Sequence, residues 1–133
     1  MAARSQISGQ KGKHMIPYSD FYRLMMDAKE CASVEEYIAE CGGSVPLDDA
    51  AQTMQLLERI WSMAHEALTI KTISDACGIA VRQIALNYHI PQRMLENWSN
   101  GSRAPSEWQL PLIAYAVVTD DLTKLAENAN EYD

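Results

Sequence analysis

Apolar residues along this chain recur at three- and four-residue steps, the spacing of one helix face, and no stretch alternates with the two-residue step of a half-buried strand. Phe21, Leu24, Met25 and Ala28 form the first such set, in a helix that Ser19 or Asp20 can cap. Val34, Tyr37, Ile38 and Cys41 form the second. It opens on Ser33-Val34-Glu35-Glu36, a capping-box pattern, and closes at Gly42-Gly43. A long amphipathic helix is predicted from Asp48 and Asp49, whose charge suits a helix N-terminus, to about Ala67. Met54, Leu57, Ile60, Trp61, Ala64 and Leu68 would point inward. Thr69 to Cys77 continues with Ile70, Ile73 and Cys77 inward, and Gly78 ends it.

The stretch from Val81 to Pro105 reads as two short helices and a loop. Ile84, Ala85 and Tyr88 make one stripe on a helix from Val81 to Tyr88. His89-Ile90-Pro91 is the break, because proline is tolerated at a helix start and not inside. Met94, Leu95 and Trp98 repeat the stripe from Gln92 to Asn100, and Gly101 stops the helix in the left-handed conformation. The polar face of that second helix holds Gln92, Arg93, Glu96, Asn97 and Asn100. Arginine can bond guanine through two atoms, and Gln or Asn can do the same with adenine. A helix that fits the major groove and carries such residues near its N-terminus is the reading element of a helix-turn-helix.

This segment resembles the helix-turn-helix of the lambda-repressor-like (XRE-type) DNA-binding proteins. The resemblance rests on Ile84-Ala85, on Ile90 after the turn, on Leu95 and Trp98, and on the run Trp98-Ser99-Asn100-Gly101-Ser102-Arg103-Ala104-Pro105. That run is similar to the family's W-x-x-G-x-R-x-P. The likeness covers Thr69 to Ala116, about a third of the chain. Two positions depart from the family pattern with structural consequences. His89 stands where the turn usually has glycine, so it would have to take a positive φ, and Ala80 replaces the usual Ser or Thr cap. The resemblance implies that Gln92, Arg93, Glu96 and Asn97 read base edges, while Arg82, Asn100, Ser102 and Arg103 hold phosphates. It also implies a homodimer on double-stranded DNA, since one such helix reads only a few base pairs.

Beyond Pro105, Ser106 and Gln109 make another capping pair, followed by Trp108, Leu112, Ile113, Tyr115 and Ala116 at helical steps. Pro111 conflicts with an uninterrupted helix: either the helix kinks there or it begins near Leu110. Val117-Val118-Thr119 is a β-branched run too short for a strand. Leu122, Leu125 and Ala126 would form one last short helix, with Asn128 onwards frayed. The expected architecture is a small all-α bundle of about six to eight helices. It divides into an arm at 1–14, an N-terminal helical region at 15–68, the helix-turn-helix at 69–118 and an acidic tail at 119–133. The arm is either an expression scar ending at His14-Met15 or a basic arm, through Arg4, Lys11 and Lys13, that touches DNA.

Charge changes the picture. The chain has 133 residues, 11 basic and 18 acidic, for a net charge of −7, which disfavours a polyanion. The excess lies outside the helix-turn-helix, where Lys71, Arg82, Arg93 and Arg103 face only Asp75, Glu96 and Glu107. Screening limits each charge to roughly 8–10 Å, so a local basic face still attracts phosphates. Glu35, Glu36 and Glu40 read as an ordinary solvated face, and Met25-Met26 as core rather than an adaptable binding surface. Cys31, Cys41 and Cys77 are odd in number and lack a C-x-x-C pair. With no secretory pattern and no run that could span a membrane, a reduced, cytoplasmic protein is expected. A metal site from these cysteines with His14, His65 or His89 lacks any ligand spacing to support it. His65-Glu66 has no nucleophile at plausible spacing, and there is no phosphate loop, zincin motif or nucleophile elbow. Neither an enzyme nor a bound cofactor is expected. The primary expectation is a sequence-specific transcriptional regulator, with the N-terminal helices serving dimerisation or a protein partner. The alternative is an acidic interaction module or inhibitor on the same scaffold.

Overall fold

A computed structural model describes residues 16–131, with side chains as far as Glu127; the arm at 1–14 lies outside the described residues. Those residues form seven α-helices and no strand. None of the helices is long and apolar enough to cross a membrane. Helix α1 runs Tyr18–Ala28, α2 Val34–Cys41, α3 Ala50–Ala64, α4 Ile70–Cys77, α5 Val81–Tyr88, α6 Gln92–Asn100 and α7 Gln109–Glu131; a 3-10 turn, Gly42–Ser44, follows α2.

Local chemistry explains most of the boundaries. Ser33 caps α2 by accepting from the Glu36 N–H at 3.1 Å. The Glu36 carboxylate accepts in turn from the Ala32 N–H, one residue before the position that a capping box uses. Asp49 caps α3 through the N–H groups of Ala51 and Gln52. Thr69 and Thr72 exchange side-chain and backbone bonds at the start of α4. Gly78 and Gly101 end α4 and α6 at φ 67° and 81°, as expected of glycine in that place. Helix α1 differs from expectation: it starts at Tyr18 after Pro17, so Ser19 and Asp20 sit inside its first turn. Gly42 ends α2 with ordinary helical dihedrals and leads into the 3-10 turn.

Helix α3 is the centre of the molecule and packs on α1, α2, α4 and α7. Its buried arc is Thr53, Leu56, Leu57, Ile60, Met63 and Ala64. Met54, expected inward, is 47% exposed, because those neighbours lie on the side of Leu56 and Met63 and turn the buried arc away from it. The helix also stops short of Ala67. The His65 ring covers its end: Nδ1 donates to the Trp61 carbonyl at 2.8 Å, and the ring stacks on Trp61 at 3.8 Å between centroids. This accounts for His65 without catalysis, and its neighbour Glu66 is exposed.

Helix α7 resolves the uncertainty at Pro111. That proline is the third residue of the helix, where its missing N–H would have had no intrahelical partner. Ser106 completes one arm of its expected pairing by donating its N–H to Gln109 Oε1 at 2.7 Å. The helix then runs unbroken, and the separate terminal helix expected from Leu122 onward is its second half. Val117, Val118 and Thr119 are buried at its middle. The Thr119 hydroxyl is satisfied by the Tyr115 carbonyl at 2.7 Å. Arg59 of α3 clasps Asp121 of α7 at 2.8 and 3.0 Å, and Tyr115 donates to the Ile16 carbonyl. Tyr37 donates to the Leu24 carbonyl and ties α2 to α1. The buried residues of the 15–68 and 69–118 regions belong to one hydrophobic core.

Candidate functional site

Helices α5 and α6 keep the boundaries expected from sequence and pack against each other and against α4. Ile84 and Ala85 bury α5, and Leu95 anchors α6 at 0% exposure. Between them His89 adopts φ 56° and ψ 41°, the left-handed conformation expected of the residue in that turn. The reversal is held by the Ile90 N–H on the Ala85 carbonyl at 3.0 Å, which satisfies an end group of α5. Ala80 supplies no side-chain cap, also as expected.

Packing on α4 and α5 leaves the other side of α6 in solvent. Gln92, Arg93 and Glu96 are exposed along its first two turns. Arg82 is exposed on the first turn of α5, and Asn100, Ser102 and Arg103 are exposed where the chain leaves α6. The side chains of Arg82, Arg93 and Arg103 make no ion pair or hydrogen bond with any described residue. Lys71, the fourth basic residue of this segment, is paired with Asp75 at 2.9 Å.

Asn97 differs from Gln92, Arg93 and Glu96. It is half-buried, and its Oδ1 lies 3.3 Å from the Ser102 hydroxyl. The same hydroxyl donates to Asn100 Oδ1 at 2.6 Å, and the Ser102 N–H donates to that oxygen at 2.9 Å. The Arg103 N–H donates to the Asn97 carbonyl at 3.3 Å. The chain thus doubles back at Gly101 and ties its next two residues to the last turn of α6.

Beside this polar face runs an apolar groove of about 270 Å³ between the α5–α6 turn and the start of α7. Pro91, Met94, Trp98, Trp108, Leu112 and Ile113 line it. Met94, expected on the apolar stripe of α6, is 36% exposed; of the set expected at helical steps after Pro105, Leu112 is 44% exposed and Trp108, in the loop before α7, is 63% exposed. Sequence periodicity could not separate this face from the core, since all of these residues are large and apolar. Its one available signal was the position of Trp108 between Ser106 and Gln109, the pair expected to cap α7, which places Trp108 at the helix start and not in its packed body. Tyr88 closes one end of the groove by donating to Asp120 at 2.5 Å; burial, then that bond and charge, push its phenol pKa up. A larger, more polar groove of about 530 Å³ lies between α1, the end of α3 and the start of α7. Met25 and Met26 both line it, Met25 from the core and Met26 from the exposed side of α1.

No known protein-family model, curated protein or solved structure matches this chain.

The cysteines offer little reactivity. All three are free and buried. Burial first, with nearby carboxylates second, pushes the Cys31 and Cys41 thiols up. Cys77 is pushed up to about 11 by burial and then Asp121. The donor atoms of Cys31, Glu36 and Glu40 lie within 4.8 Å of one another. They have local roles, Glu36 toward the Ala32 N–H and Glu40 toward the Cys31 thiol at 3.9 Å. Neither His65 nor His89 shares this cluster; His14 lies outside the described residues.

Proposed function

We propose that this chain is a sequence-specific DNA-binding regulator whose α5 and α6 form a lambda-repressor-like helix-turn-helix and which acts as a homodimer. One observation carries the reading: Gln92, Arg93 and Glu96 are exposed together on α6, uncovered by α1 to α3, and Arg82, Arg93 and Arg103 have no side-chain partner among the described residues. Bidentate readout needs this availability, because a guanidinium held by a carboxylate of its own chain is turned toward that partner and cannot present the same donor fork to guanine O6 and N7. Arg93 and Gln92 then read bases, Glu96 accepts from cytosine or excludes other bases, and Arg82 and Arg103 hold phosphates and set register. Helix α6 has nine residues and spans about 13 Å at 1.5 Å per residue, enough for a few base pairs. A second copy on a two-fold site supplies the rest. The acidity weakens non-specific binding, so affinity should rest on the correct sequence, with a salt slope set by the few phosphates that Arg82 and Arg103 neutralise.

The test is selection of random duplex DNA on the purified chain at physiological salt, with Arg93→Ala as control. Enrichment of a two-fold motif with half-sites about 34 Å apart, lost in the control, supports the reading. A folded wild type that enriches nothing refutes it. A second reading, an acidic protein-interaction module, is favoured by the apolar groove with Trp108 63% exposed. Exposed Trp rimmed by apolar side chains is typical of protein contact surfaces. Under that reading, Trp108→Ala abolishes partner binding and the Arg93 variant is silent.

A further inference from the structure

The hydrogen bonds at the end of α6 separate Asn97 from the residues with which it shares a face. An adenine contact through two atoms requires both Oδ1 and Nδ2 of an asparagine. In Asn97 the amide end faces Ser102 at 3.3 Å. One hydroxyl proton cannot fully serve both Asn97 and Asn100, and Asn100 has the shorter bond, 2.6 Å. Turning the Asn97 amide over completes a chain in which Asn97 Nδ2 donates to Ser102 Oγ and Ser102 Oγ donates to Asn100 Oδ1. In either orientation the half-buried amide is engaged by the Ser102 hydroxyl, so its direction is set from inside the protein. The same residue also accepts the Arg103 N–H on its backbone carbonyl. Asn97 therefore touches both residues that follow the glycine reversal, and the second of these carries a cation with no partner among the described residues.

We infer that Asn97 is a positioning residue. With Asn100 and Ser102 it pins the segment 101–103 to the end of α6 and thereby sets where Arg103 meets a DNA phosphate. Base reading falls to Gln92, Arg93 and Glu96. The inference rests on the DNA-binding reading above and assigns this part of the site to affinity and register, not to sequence choice.

The experiment uses the duplex recovered by selection and its single-base variants. Affinities are measured for the wild type, Asn97→Ala, Ser102→Ala, Arg103→Ala and the Asn97→Ala/Arg103→Ala pair, with thermal unfolding of each. Asn97→Ala should weaken every duplex by the same factor, roughly fivefold, without changing base preference. It should add little to the loss already caused by Arg103→Ala. Ser102→Ala, at an exposed position, should repeat the pattern even if Asn97→Ala unfolds the chain. A change of preference at one base position, or losses that multiply with Arg103→Ala, would overturn the inference. A DNA-free measurement separates the two claims. The Ser102 and Arg103 amides should be protected from hydrogen exchange and lose protection in Ser102→Ala. Unchanged exchange overturns the positioning role whatever the DNA result. Protected amides in a wild type that binds no duplex instead remove the DNA reading, and with it the phosphate role of Arg103.

Discussion

His89 is the one described non-glycine residue with a positive φ, and replacing it tests whether the α5–α6 turn is set by backbone geometry. A residue with a Cβ loses roughly 1–2 kcal/mol in the left-handed region, and histidine lies toward the lower end because it tolerates that region better than bulky residues. Glycine removes the strain but costs about 0.5–1 kcal/mol through the freedom it adds to the unfolded chain. The His89 side chain is exposed, so its removal costs little. His89→Gly should therefore stabilise the protein by about 0.5 kcal/mol. His89→Ala keeps the strain and serves as the reference, so the two variants should differ by about 1 kcal/mol, or about 3–5 °C in Tm for a chain of this size. Urea unfolding at constant m-value is the assay. Gly78→Ala is the converse case: φ is 67° and a Cβ there would meet nothing within 4 Å, so its expected loss of about 1 kcal/mol is purely backbone. Equal stability of His89→Gly and His89→Ala would refute the reasoning and move the explanation to the contacts of the imidazole in the apolar groove.

Leu95→Ala should cost about 2–5 kcal/mol, because Leu95 alone anchors α6 in the core; a loss under 1 kcal/mol in urea unfolding would mean that half-buried Trp98 carries the packing instead. Stability should fall at alkaline pH. The folded pKa of Cys77 is raised from 9.0 to about 11, so the stabilisation is complete below about pH 9 and is lost as pH climbs toward 11. Tyr37 and Tyr88 are shifted in the same direction, and Cys77→Ala should flatten part of the slope; stability that rises over this range would contradict the burial argument. Arg93→Ala should cost about 1–3 kcal/mol on the selected duplex and relax preference at one base position, whereas a uniform loss on all duplexes would reassign it to a phosphate.

Sequence alone determined the helices whose ends are local events. Pro91 and Gly101 bracket α6, Gly78 ends α4, and Ser33 and Asp49 satisfy the first N–H groups of the helices they precede. Each of these signals acts within four residues, which is why the approximate limits of α5 and α6 and the positive φ of His89 could be expected. The polar outer face of α6 was legible for the same reason. Tertiary structure decided what depends on remote neighbours. Neighbours on one side of α3 rotated its buried arc past Met54. Burial against α3 and α4 kept Val117, Val118 and Thr119 helical in the middle of α7, overriding the weak helix propensity of β-branched residues. Trp108, Met94 and Leu112 carry the same apolar signature as the core, and only the packing of α7 shows that they remain in solvent. Asn97 is polar, as a base reader must be. Its bond with Ser102 forms only after the chain reverses at Gly101, and residue type could not foretell that bond.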